Sequence, residues 1–137
     1  MTPIPPGIQE WHDRFAASVR VRDIAQGLAL FAPQVRAFGT VVEYAPDLRC
    51  LQQEQWMRVW PHTRGFHFLP SPVEVFLSAD ASQACVLTFW ESDGLREDGT
   101  PFPRRGRCTT VLHQEPSAPC GWLAVHTHYS KRPAGDV

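Results

Sequence analysis

The chain has 137 residues, 43% hydrophobic and 20% charged, with a formal net charge of −1. That length suits one domain with a sizeable core, and the balanced charge, without a long basic tract, argues against capture of nucleic acid or an anionic membrane. No apolar run approaches the ~18 residues that span a bilayer, and the start, MTPIPPGIQE, has neither the charged n-region nor the apolar h-region of a secretory signal.

Pro3, Pro5 and Pro6 keep the first residues extended, and a helix can begin just after them. Ile8, Trp11, Phe15 and Val19 then recur at spacings of three and four, which places them on one helical face. Asp23 is suited to open a second, short helix with Ile24, Leu28 and Phe31 as its buried stripe, ended by Pro33. VRAFGTVVEY (35–44) is β-branched and aromatic and predicts a strand with an irregularity at Gly39. LRCLQQEQWMRVW predicts a third helix, capped by Asp47 and stopped by Pro61. Trp56 and Trp60 share one face of it, as core or as a lid over a ligand.

The second half changes character. VEVFLSAD (73–80), ACVLTFWES (84–92), RGRCTTVLHQ (105–114) and GWLAVHTHYS (121–130) predict strands separated by turn chemistry. Helices followed by a meander of strands imply an α+β domain with the three helices of the N-terminal half packed on one face of an antiparallel sheet. A curved sheet with helices across its hollow side makes a cone-shaped pocket, a common small-molecule site. The whole of 1–137 is taken as this one domain, with 1–7 and 131–137 expected to be flexible ends. Cys50, Cys85, Cys108 and Cys120 are too scattered for a redox or zinc motif. They are expected to be reduced thiols in a cytoplasmic protein.

RFAASVRVRDIAQGLALFAP near the start, and DGTP, GRCTTVLH and GWLAVHTHYS near the end, resemble the ketosteroid isomerase-like superfamily, also named after a nuclear transport factor. The chain is closest in pattern to its SnoaL-like branch and to the association, or hub, domain of calcium/calmodulin-dependent protein kinase. The resemblance covers nearly the whole chain and implies a cone with a three-helix lid, paired as a homodimer through the outer face of the sheet. Its implied activities range from isomerase, polyketide cyclase and dehydratase to non-catalytic binding and oligomerisation, and fold analogy does not choose among them.

An isomerase of this kind needs a carboxylate base beside a carbonyl and donors for the oxyanion that forms. The resemblance puts Phe15 at the oxyanion-hole tyrosine and Gly39 at or beside the catalytic aspartate. A phenyl ring donates no hydrogen bond and glycine takes no proton, so that reaction is argued against. Glu43, Glu54, Glu74 and Glu91 are the candidates for a relocated base, with Glu43 the nearest to the lost aspartate and Tyr129 its candidate partner. Against the hub branch, the cavity arginines suited to carboxylates correspond to Trp90, Thr110 and Tyr129. These lie two residues from Thr88, Cys108 and Thr127, on the same strand faces. The expected pocket is therefore Phe15, Tyr44, Trp56, Trp60, Thr88, Trp90, Cys108, Thr110, Thr127 and Tyr129, suited to an apolar or aromatic ligand more than to a small acid.

Arg104, Arg105 and Arg107 form the one local basic cluster, of which one could reach an anion at the cone mouth. His126 and His128 project to one side of the last strand, with His113 on its neighbour and His62 and His67 in the loop after the third helix. The parity that turns Tyr129 inward sends His126, His128 and Trp122 outward, and one bulge would reverse it. No metal and no cofactor is expected. Three readings stand side by side: a homodimer binding a small organic molecule in an aromatic cone, a hub-like scaffold, or an isomerase, cyclase or hydratase with a relocated acid–base pair.

Overall fold

Pro6 stands in the first turn of helix α1 (Pro6–Val21) in a computed structural model that describes residues 4–70 and 74–133. Proline is favoured there because its missing N–H has no helical partner to lose. Ile8, Trp11, Phe15 and Val19 are buried along one face of α1, and the Trp11 Nε1–H donates to Leu30 O at 2.8 Å. A wholly buried indole of this kind stabilises a core by about 3–5 kcal/mol relative to alanine. The helix ends at Arg22, whose backbone is left-handed (φ 57°) while its N–H bonds back to Val19 O and its guanidinium donates to Trp60 O and Thr63 O. One residue thus turns the chain and ties α1 to the end of the third helical run. Asp23 caps α2 (Ile24–Leu28) by accepting from Gln26 N.

The chain leaves the helix sooner than the sequence predicts. Strand β1 spans Phe31–Phe38, so Phe31 belongs to a strand and Pro33 lies inside it. Proline is tolerated because β1 is an edge strand that pairs only with the last strand, with an irregular register between Phe31 and Arg36. After Phe38 the chain is a loop, closed by a bridge between Ala37 and Ala45, and 39–44 is not strand.

Asp47 then caps α3 (Leu48–Leu51) by accepting from Cys50 N. The helical run continues through a π turn (Gln52–Trp56), α4 (Met57–Val59) and a 3-10 turn (Trp60–His62) that contains Pro61. The segment after it, expected as loop, is strand β2 (Thr63–Phe68). β3 is Glu74–Leu77, and position 73 of the predicted strand lies outside the described residues. β4 (Gln83–Leu95) and β5 (Pro101–Gln114) form a long hairpin, longer at its turn than predicted, and β6 (Trp122–Lys131) closes the sheet.

These six strands make one curved sheet in the order β1-β6-β5-β4-β2, with β3 also on β4. The α+β architecture is the one expected, with one addition: β1 and β6 run parallel, while every other pair is antiparallel. Of the ends expected to be flexible, 1–3 and 134–137 lie outside the described residues; Pro6 is already helical and Lys131 still pairs with Gly106.

Candidate functional site in the cone

The concave face of the sheet is set by the register of its three long strands. Thr88 faces Cys108 and Trp90 faces Gly106, while Cys108 and Thr110 stand opposite Tyr129 and Thr127. A Cβ at Gly106 would run into the Trp90 indole and Ser130 O, so glycine is what lets Trp90 lie against the sheet. In β6 the register shifts between Val111 and Leu112, leaving Val125 without an opposite residue. This bulge corrects the simple alternation: Trp122 and Ala124 are buried together with Thr127, although His126 and His128 stay on the other face. There His126 Nδ1–H donates to Arg36 O at 2.8 Å, and His128 packs against Phe38.

Rings from five elements close over this hollow. Trp56 and Trp60 stack at 4.8 Å, Phe15 lies 5.8 Å from Trp56, and Trp90 stands 6.4 Å from Tyr129. They leave a cavity of about 60 Å³ whose walls include Phe15, Phe31, Trp56, Trp60, Phe66, Trp90, Thr127, Tyr129 and Arg104. Pockets for drug-sized molecules are several-fold larger, ~300–1,000 Å³. Among the described residues, Arg104 is the one charged side chain in that lining; no carboxylate and no histidine reaches it.

At its open side the cavity is bounded by the 38–40 segment and Arg104. Gln55, inside the π turn, holds that segment: its Oε1 accepts from Val41 N and Val42 N, both at 2.8 Å, and its Nε2 donates to Thr40 Oγ1 at 2.8 Å. The same hydroxyl accepts from Arg104 Nη2 at 3.4 Å. A Cβ at Gly39 would collide with the Gln55 amide. The place where the resemblance puts a catalytic aspartate is thus filled by another residue's side chain. Arg104 is half-buried, its guanidinium 5.5 Å from the Trp90 ring, and burial pushes its pKa down.

The deep end is different. Thr88, Cys108, Thr110 and the Tyr129 hydroxyl are buried together. Cys108 Sγ and Thr110 Oγ1 are 3.3 Å apart, and the Thr88 and Tyr129 hydroxyls gather on the same thiol but make no hydrogen bond of good geometry among the described residues. Burial pushes the Cys108 thiol up to about 11, well away from a reactive thiolate. The Tyr129 phenol is likewise raised, by burial first and by the Cys108 thiol second. Beside Thr88, His12 lines a space of about 10 Å³. Its Nδ1–H donates to Ile8 O at 2.9 Å, and Nε2 has no partner. Burial lowers the His12 pKa, outweighing the Ile8 carbonyl and Asp13, and so favours the neutral ring.

Of the residues singled out from the sequence, Phe15, Trp56, Trp60, Trp90, Thr127 and Tyr129 border the cavity. Thr88, Cys108 and Thr110 lie beneath it in the sheet. Tyr44 and Glu43 do not come to the cone: both are exposed, and Tyr44 packs on Phe38, because the backbone departs from strand geometry after Phe38. Glu54 pairs with Arg58, Glu91 with Arg105 and His67, and Glu74 is exposed. His62, His67 and His113 are exposed, and no three metal-ligating side chains come together among the described residues. Sequence reasoning missed Gln55, His12 and Phe31. The first two are polar residues inside helical stretches, with no spacing signal of their own.

A family model described as SnoaL-like domain matches residues 8–135. Among solved structures, a nuclear transport factor 2-like superfamily protein from Salmonella enterica serovar Typhimurium superposes with TM-score 0.77 at 21% identity, covering 95% of this chain and 92% of that one. The CaMKII hub of S. rosetta gives 0.73 at 19%, covering 96% and 100%, and a ketosteroid isomerase-like protein from Erwinia carotovora atroseptica gives 0.76 at 16%, covering 93% and 95%. At these identities the likeness is one of fold. No curated protein matches the chain.

Proposed function

The chain belongs to the SnoaL-like domain family, and we propose that it binds a small organic molecule in its cone without performing the isomerase reaction. The observation that carries this reading is the lining. Aromatic rings surround a cavity that holds no carboxylate or histidine among the described residues to move a proton. Phe15 offers no donor to an oxyanion, and Gln55 occupies the space over Gly39. A base relocated to Glu43 has no route to the cone from its exposed loop.

The protein is proposed to work as a homodimer joined through the outer face of β4, β5 and β6. Leu87, Phe89, Thr109 and Val111 are only partly buried there, and Phe76 stands 57% exposed on β3, leaving apolar area for a second copy to cover. All four cysteines are free thiols, and no described helix is long and apolar enough to cross a membrane, which fits the cytoplasmic setting proposed here. A second reading is favoured by the small volume of the cavity: a cone filled by its own rings would serve an oligomeric scaffold equally well.

Native mass spectrometry of freshly purified protein reads both. A dimer carrying a small-molecule adduct is the expected result. A larger or dimeric assembly without adduct transfers support to the scaffold, and a bare monomer overturns both readings.

A further inference from the structure

At the mouth of the cone the chain carries a cation, Arg104, that no acidic side chain among the described residues neutralises. Arg14, Arg58, Arg64 and Arg105 each sit beside a carboxylate, of Glu10, Glu54, Asp93 and Glu91 respectively. Arg104, one residue from Arg105, does not. Strand alternation turns it to the concave face, opposite Ser92, where it has the Trp90 ring on one side and a long bond to Thr40 on the other. A half-buried guanidinium held by a ring and a single neutral hydroxyl has lost part of its hydration without gaining a counter-charge. Most of its five donors remain unused.

We propose that Arg104 is the anchor for the acid group of a small, flat organic anion whose apolar body enters the aromatic cone. The inference rests on the cone-binding reading and gives it a ligand class. Two features of the site restrict that class further. The volume, about 60 Å³, is well under the ~150 Å³ of an apolar cavity that holds benzene, which leaves a short chain of a few carbons, and a ring only if the Trp56–Trp60 wall moves. The planar guanidinium fork matches the two oxygens of a carboxylate. The sequence-level expectation of an aromatic pocket disfavouring an acid is therefore revised in one respect. The cone wall is neutral, but the strand next to it supplies a charge at the opening.

The test uses the intrinsic fluorescence of the full chain, since Trp56, Trp60 and Trp90 border the cavity. Sodium benzoate and sodium butyrate are titrated against their neutral isosteres, benzamide and butyramide. Butyrate is expected to bind, with its amide weaker by about 10- to 100-fold, the worth of a charge-assisted pair in a partly dry site, and benzoate to follow only where the Trp56–Trp60 wall yields. Arg104→Gln should remove that difference, and Arg104→Lys should restore part of it; the comparison of acid and amide on the unmodified protein needs no variant to fold. Equal binding of acid and amide would overturn the anchor and leave the cone-binding reading standing. An amide that binds while the acid does not would do the same. If none of the four probes perturbs the tryptophans, both are overturned.

Discussion

The two ends of the cone handle polar groups in opposite ways. At the mouth, Gln55, Thr40 and Arg104 form a chain of hydrogen bonds that fixes the loop after β1, and the guanidinium left over keeps access to solvent. At the deep end, His12 Nε2, Thr88 Oγ1 and the Tyr129 hydroxyl are buried without a well-formed hydrogen bond among the described residues, the two hydroxyls having the weakly accepting Cys108 thiol beside them. A buried polar atom without a partner costs about 1–3 kcal/mol. A rigid, well-bonded mouth beside a closed but under-bonded interior is the arrangement of a site whose selectivity resides at its entrance. The interior contributes shape and dryness.

The largest effect that separates the two ends is expected at Gly39. Alanine there would push a methyl group into the Gln55 amide and against Val42, with nowhere to go while Gln55 holds both Val41 N and Val42 N. Overpacking of this kind costs about 1–3 kcal/mol. Urea denaturation of Gly39→Ala, Gln55→Ala and the double variant measures it. Because the two residues compete for one space, the double variant should be less destabilised than the sum of the singles. Additive losses would mean that the Gln55 contact does not constrain Gly39, and the mouth would lose its claim to rigidity.

What the sequence shows and hides follows the same division. The sheet, the α1 stripe and the caps at Asp23 and Asp47 are legible because each depends on a period or on a residue next in sequence. The inward parity of Trp90, Thr110 and Tyr129 can be counted because β4 pairs with β5 without a break and β5 with β6 regularly on the Tyr129 side of the bulge. β1 was misplaced because Pro33 signals a break everywhere except on an edge strand, and edge status is a property of the whole sheet. Trp122 was assigned to the wrong face because a bulge at Val125 leaves no mark in composition. Gln55 was invisible for a plainer reason. Its partners lie 13 to 15 residues away, in a loop that was expected to be strand.

The deep end has its own test in pH. Burial keeps the folded-state pKa of His12 below the ordinary imidazole value, so the unfolded chain binds a proton that the folded chain refuses. Stability from this residue is therefore present in full above pH ~6.5 and lost as pH falls from there toward the lowered folded value. Urea midpoints measured from pH 8 to pH 5 should decline over the lower part of that range, and His12→Leu should flatten the decline. An unchanged slope in His12→Leu would mean that the ring finds a partner for its second nitrogen.

The smallest effect is also the most direct probe of the interior. Threonine to valine normally destabilises a core when the hydroxyl is bonded, since the bond is lost and a partner is stranded. Thr88 strands little: among the described residues its buried Oγ1 makes no hydrogen bond of good geometry, and the group beside it is the Cys108 thiol, a weak acceptor. Thr88→Val should therefore raise stability, by about 1 kcal/mol, through relief of one desolvated hydroxyl. Thermal denaturation at fixed pH is sufficient to read the sign. A stabilised variant supports a dry interior in which shape alone acts. A destabilised one would place a bound water between Thr88 and His12, in the space of about 10 Å³ that both of them line. The deep end would then be bonded much as the mouth is, and the contrast between them would disappear.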